Sequence, residues 1–555
     1  MATQVLYAEP YPLEVVLSRT ALLLIDFQND FCSPGGWADL AGLDLRRVAQ
    51  AIPPAGQSDK SGRCPSRVWM IGSRALTPGA GRDRGRPVGL RGGHMIFENC
   101  TLVTVDPDRR IITDGALAVD GGIIRAVGKR LEIRRQVPEE REFTDLRGGL
   151  VIPGLINTHV HLAQALLRGC ADDLSLVDWL TQRVWVLQGN FDEEDGRLSA
   201  ELAILEMLKS GTTAFVESMI AGRYGFDGIA EVVERSGIRA GLSKIVMDLP
   251  SYATAAGSMY PGMIENPEAS FDEALAMHAR WDGAAGGRIG VWFGPRPPGG
   301  TTSDLYRRMM KAAREKGMRV TIHLAEVKAD VEHTRREFGL RPIEYARSVE
   351  MLGPEVLLVH VVWAEPDEIG MLAETGTHVT HNPLSNSKLA SGIAPIPEML
   401  QAGVNVGLGT DGGPSSNDYD MVRAMRWASY IHKARLLDPT ITPSETAFEM
   451  ATIHGARAMG WEDRIGSLEV GKRADFAVLN LNQPHLVPSP NPVSTVVCAA
   501  TGKDVETVVI DGRVVVRDGV ALTMDEERIL AEARERAARL YQRAGIEIKP
   551  RWPVL

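Results

Sequence analysis

Cysteine is scarce and unpatterned in this chain. The five among 555 residues, Cys32, Cys64, Cys100, Cys170 and Cys498, show no Cys-x-x-Cys spacing. A reduced, cytoplasmic protein is the simplest reading. No apolar run approaches the length of a membrane span, which excludes a helical membrane protein. No charged-then-apolar leader is present either, because the short run Leu22 to Ile25 ends at Asp26. Excess positive charge is also missing. The formal net charge of −10 argues against a nucleic-acid-binding surface. What remains is ordinary globular composition, 44% hydrophobic and 24% charged, in a chain long enough for more than one domain and a large core.

Three regions differ in pattern. In residues 1–52, Thr20-Ala-Leu-Leu-Leu-Ile-Asp-Phe-Gln-Asn-Asp-Phe31 reads as a buried strand ending in polar residues. It resembles the first strand of the isochorismatase-like cysteine hydrolases, where an Asp placed like Asp26 belongs to an Asp–Lys–Cys triad. No later segment supplies the Lys or the Cys, so this is read as a truncated fragment. Residues 53–94 are rich in Gly, Arg, Pro and Ser, as in Gly79-Ala-Gly-Arg-Asp-Arg-Gly-Arg-Pro. They carry no period of 2 or 3.6 and are expected to be a disordered linker. The abrupt loss of pattern after Ile52 suggests a fusion or frame shift between neighbouring genes, with Met95 as an ancestral start.

From Met95 the pattern is regular. Ile96 to Val105, Gly115 to Val127 and the stretch ending at Ile152 read as strands. A matching set returns at Asp475 to Leu479, Val505 to Asp511 and Val514 to Arg517, separated by Asp-Gly turns. Residues 95–150 and 461–522 are therefore expected to pair into one β-sandwich. Residues 523–555 form a C-terminal helix and tail, with helical spacing over Asp525 to Ala544. Between the two strand sets, over 151–460, strands alternate with helices, which implies a parallel sheet. The candidate strands end at His159/His161, Glu217, Val246, Gly294, His323, His360, His381 and Asp411. Eight such units give an α/β fold of the (β/α)8 type, a TIM barrel, in which active-site groups sit at the C-terminal strand ends.

Several of those ends carry metal-ligand residue types. His159 and His161 are two apart on one strand and so share a face. His323 ends the fifth strand and Asp411 the eighth. Three imidazoles and one carboxylate suit a single divalent ion, Zn²⁺ first and Fe²⁺ second.

These residues lie in motifs that resemble the amidohydrolase superfamily, from Met95 to about Gly519. The carrying stretches are Pro153-Gly-Leu-Ile-Asn-Thr-His-Val-His-Leu and Leu167-Arg-Gly-Cys-Ala-Asp-Asp-Leu-Ser-Leu-Val-Asp-Trp-Leu180. His323-Leu-Ala-Glu326, Val359-His360 and His381-Asn-Pro-Leu-Ser-Asn-Ser-Lys-Leu-Ala-Ser-Gly392 follow. Gly409-Thr-Asp-Gly and Gly466-Ser-Leu-Glu-Val-Gly-Lys-Arg-Ala-Asp-Phe476 complete the set. The group resembled contains guanine deaminases, methylthioadenosine/S-adenosylhomocysteine deaminases and atrazine-type s-triazine hydrolases. Many superfamily members bridge two metals with a lysine on the fourth strand. Arg288-Ile-Gly-Val-Trp-Phe-Gly294 has none, so one metal is expected.

The resemblance implies hydrolytic C–N cleavage on a nitrogen-rich heterocycle. Hydrolysis of a urea, carbamate or halogenated triazine bond, or deamination of a methylthioadenosine/S-adenosylhomocysteine-type nucleoside, is the alternative. Asp411 would take a proton from the attacking water, Glu326 would protonate a ring nitrogen, and His360 would stabilise developing charge. His381 is expected to support the following loop. Trp179, Gln188 and Arg296 are the expected substrate contacts. Nucleoside deaminases of this group carry a ribose-binding Glu where Gln188 stands, and His-Ala-Pro-Tyr where Arg296-Pro-Pro-Gly stands. Both departures favour a ring without ribose. The partners expected are a small heterocyclic substrate and further copies of the chain, as a dimer or tetramer, with no nucleic acid and no membrane.

Overall fold

β-Branched and apolar runs bounded by glycine set the strands of the main body. The computed structural model describes residues 95–137, 142–251 and 259–553, together with the backbone of four short strands before Met95. The chain divides into two compact units, Met1–Gly89 and Leu90–Leu555. In the first unit, Thr3–Ala8 pairs antiparallel with Tyr11–Val16, and Leu23–Leu24 pairs antiparallel with Trp69–Met70. Asp26 and most of the expected fragment and linker lie outside the described residues.

In the second unit, eight parallel strands form the barrel. They are β1 Leu155–His161, β2 Thr212–Ile220, β3 Arg239–Val246, β4 Ile289–Pro295, β5 Val320–Leu324, β6 Val356–His360, β7 His378–His381 and β8. Strand β8 is interrupted. Val406–Leu408 pairs with β7, and after Gly409 and Thr410 the chain resumes as Asp411–Gly412 beside β1. The register Val160 opposite Asp411 closes the sheet and puts the first and last metal-ligand candidates side by side. Strands buried on both faces read as continuous apolar runs, as in Val356–His360, where all five residues are buried.

Both ends of this unit contribute to one mixed sheet of nine strands. The bridge is Leu150–Pro153, which pairs antiparallel with Phe476–Leu479 and parallel with Thr101 and Leu102. The expected two-part sandwich is thus hydrogen-bonded into one continuous sheet. Its core mixes both ends, with the rings of Phe97 and Phe476 4.9 Å apart, edge to face. The helix Glu526–Ala544 packs Ile529, Ala533 and Leu540 inward. Its Arg536 and Arg543 pair with the buried Asp195 at the start of the helix Glu193–Lys209. No helix among the described residues is long and apolar enough to cross a membrane.

Arg239, at the start of β3, joins barrel to sheet. Its side chain is 1% exposed and forks onto Asp475, at 2.5 Å, and Asp511. Both carboxylates flank strands of the terminal sheet. Removing one member of a buried ion cluster leaves the others uncompensated, at a cost of about 3–5 kcal/mol. Arg239→Ala is therefore expected to destabilise the second unit by roughly that amount in urea unfolding. A loss near zero would show that barrel and sheet do not depend on this fork.

Candidate metal centre and active site

The HxH pair enters the barrel mouth because β1 presents residues 159 and 161 on one face. His159 is fully buried and His161 nearly so. The Nδ1 of His161 lies 2.8 Å from the Ser218 carbonyl. A carbonyl can only accept, so Nδ1 carries the proton and Nε2 is left with a lone pair. That Nε2 lies 3.2 Å from His323 Nε2 and 3.3 Å from Asp411 Oδ1. His159 Nε2 is 3.2 Å from the same oxygen. The ring nitrogens of His159, His161 and His323 fall within 4.8 Å of one another, and His159, His360 and Asp411 form a second such group.

Lone pairs this close repel unless a proton or a cation lies between them. Burial disfavours the charged imidazolium: it lowers the pKa of His161 to about 3, aided by neighbouring His159, and pushes His323 down as well. Neutral imidazoles are the ligand-competent form. Neither ring nitrogen of His159 has a hydrogen-bond partner, and His323 Nδ1 has none. Buried orphan acceptors beside an ionised carboxylate fit a divalent cation.

Asp411 and Glu326 are driven in opposite directions. Burial alone would raise the Asp411 carboxyl, but His159, His161 and His360 reverse this and hold it well below the usual range. Its Oδ2 accepts from Ser385 Oγ at 2.6 Å. Glu326 is raised well above the usual range by burial, then by Asp411 and Asp330. Its Oε2 lies 3.6 Å from His360 Nε2, and its Oε1 accepts weakly from Ser391 at 3.4 Å. The Nδ1 of His360 donates to Asn386 Oδ1 at 2.8 Å, which turns Nε2 toward Glu326. Several of these residues sit on strained backbone. His360 has φ +72°, Asp411 +65°, Ala325 +53° and Met219 +72°, a region that side chains with a Cβ enter at a cost. Gly409 is needed for another reason: a Cβ there would come within 2.3 Å of Asn382 Oδ1.

One pocket gathers His161, His323, Asp411, Glu326 and His360 with the three expected substrate contacts, Trp179, Gln188 and Arg296. Its wall is largely apolar, with Leu176, Leu180, Trp185, Tyr224 and Met263. Strand β4 holds no lysine. His381 is not among the residues that line the pocket, and its Nε2 meets His432 Nε2 at 3.2 Å. Its partner is thus the helix Met421–Leu436 rather than the following loop.

Sequence reasoning missed Gln164, whose buried Oε1 has no partner in the pocket wall, and the supporting Ser218, Ser385, Asn386 and Asp330. Ser385 and Asn386 lie within the motif that begins at His381, but no spacing rule marks them out. Asp330, the third residue of its helix, resembles any capping carboxylate.

The comparisons with known proteins agree with this geometry. The model of the Amidohydrolase family matches residues 150–515. The chain is 36% identical over 451 residues to a 5'-deoxyadenosine deaminase of Methanosarcina acetivorans, covering 81% of this chain and 99% of that one. It is 41% identical over 404 residues to a 5-methylthioadenosine/S-adenosylhomocysteine deaminase of Desulforudis audaxviator, covering 73% and 90%. Among solved structures, an adenosine deaminase from Xanthomonas campestris with bound zinc superposes with a TM-score of 0.76 at 31% identity, covering 81% of this chain and 98% of that one. The chain belongs to the amidohydrolase family and is a hydrolase acting on carbon–nitrogen bonds.

Proposed function

We propose that the chain deaminates an adenine-type ring, replacing its exocyclic amine with oxygen and releasing ammonia. The observation that carries this reading is the convergence, in one apolar pocket, of His161, His323 and Asp411 with a second buried carboxyl, Glu326, that burial and neighbouring carboxylates push upward while the imidazoles hold Asp411 down. A divalent ion held by His159, His161, His323 and Asp411, Zn²⁺ by the chemistry of its three nitrogen donors and one oxygen donor, supplies Lewis-acid activation of water. Asp411, kept ionised, accepts the proton of the attacking water. Glu326 gives its proton to a ring nitrogen, which makes the adjacent carbon electrophilic. His360, oriented by Asn386, faces the same point and stabilises charge developing there. Trp179 and the apolar wall cover the ring and exclude water.

The relatives' names favour adenine nucleosides over the ribose-free ring expected from Gln188 and Arg296. Gln188 is compatible with a sugar: its carboxamide oxygen accepts from one hydroxyl while its NH₂ donates to another. It binds a diol less strongly than a carboxylate does, because charge-assisted hydrogen bonds are roughly twice as strong.

His323→Ala is expected to lower bound metal from about one ion per chain to a small fraction, since a four-ligand site tolerates loss of an imidazole poorly. Metal analysis after dialysis reads this directly, and full retention would remove His323 from the ligand set.

Ammonia release from 5'-deoxyadenosine-type nucleosides, compared with free adenine, tests the substrate class. Nucleosides are expected to be the better substrates. Gln188→Glu is expected to raise their kcat/KM by about tenfold, roughly one stronger hydrogen bond, with free adenine little changed. No ammonia from any aminopurine would defeat the proposal, and an equal effect on nucleoside and base would take Gln188 away from the sugar.

A further inference from the structure

Glu326 does not sit on a strand or inside a helix. It occupies the turn between β5 and the helix Lys328–Phe338. That turn is made by Ala325 in the left-handed region, φ +53°, where a Cβ crowds the following carbonyl. The Ala325 carbonyl is tied by the Trp363 N–H at 3.1 Å. A conformation of this kind persists only when its surroundings over-determine it, and the direction of the Glu326 side chain depends on it.

We propose that Asp330 is the positioning residue of the reaction, holding with one carboxylate oxygen the turn that aims Glu326 at the substrate. Its Oδ2 accepts from the Glu326 N–H at 2.9 Å and from the Val327 N–H at 3.0 Å. Two consecutive amides are thus fixed by one atom, immediately after the strained residue. Asp330 is 8% exposed, and its Oδ1 is buried with no hydrogen-bond partner. A helix cap alone does not need a carboxylate buried at that cost, because an exposed Asp caps equally well. Asp330 is absent from the pocket lining, whereas Glu326 and His360 are both part of it, so Asp330 acts through Glu326 rather than on the substrate.

The proposal rests on Glu326 as the proton carrier, and a double-mutant cycle separates the two claims. Four proteins are compared for kcat, KM and bound metal: native, Asp330→Ala, Glu326→Gln and the double variant. Glu326→Gln is expected to keep its metal and lose roughly 10²–10⁴-fold in kcat, the usual share of a general acid. Asp330→Ala is expected to lose about 10–100-fold in kcat, the scale of a small misplacement of a reacting group, with KM little changed and metal retained. In the Glu326→Gln background the same change is expected to do almost nothing further. Asp330→Asn, whose carboxamide oxygen can accept the same two bonds, is expected to recover most of the kcat. Near-native kcat in Asp330→Ala, parallel loss of metal, or a full additional loss on top of Glu326→Gln would overturn the positioning role. Near-native turnover of Glu326→Gln would instead overturn the assignment of Glu326. Should Asp330→Ala fail to fold, Asp330→Ser, too short to hold both amides, runs the same cycle.

Discussion

Three imidazoles and a carboxylate point at one place from which water is largely excluded, and much of the local structure exists to keep them there. His161 is fixed by a backbone carbonyl on β2, Asp411 by a serine hydroxyl after β7, and His360 by the Asn386 carboxamide. The facing nitrogens of His161 and His323 lie 3.2 Å apart, close enough to share one cation. The interruption of β8 belongs to the same constraint. The break at Gly409 and Thr410 lets Asp411 move beside β1 and lets Asn382 approach closely, so the last strand completes both the barrel and the ligand set.

The chemistry follows from a division between two carboxyl groups. Asp411 and Glu326 are both buried, and burial by itself would protonate both. Imidazoles around Asp411 hold its carboxyl below the usual range, while Glu326 has carboxylates as its charged neighbours and is pushed above it. Opposite shifts of this kind suit the proposed roles, Asp411 as proton acceptor and Glu326 as proton donor. Four residues with positive φ, Met219, Ala325, His360 and Asp411, lie at or beside the strand ends around this site.

Much of this was legible in the sequence, for physical reasons. Parallel barrel strands are apolar runs ending in polar residues, so the eight ends were readable, and β2 alone runs three residues beyond its expected end, to Ile220. Period two placed His159 and His161 on one face, whereas the contact of His381 with His432 on the helix Met421–Leu436 depends on tertiary packing. The supporting groups were not legible. Asp330, Ser385 and Asn386 are small polar residues of the kind found in any turn, and their meaning depends on which side chain from another strand lands beside them. Gln164 was missed because a short helix after β1, not a strand end, carries it. The continuity of the terminal sheet was also hidden, since Leu150–Pro153 reads as the last strand of one set and gives no sign of pairing with Phe476–Leu479.

Crystals of the metal-loaded protein, measured on both sides of the zinc absorption edge, test the central claim most directly. A single anomalous peak is expected within about 2.0–2.2 Å of nitrogen atoms of His159, His161 and His323 and an oxygen of Asp411, with Glu326 outside that distance. A second peak nearby, or a peak held by Glu326 or by residues outside this group, would contradict it.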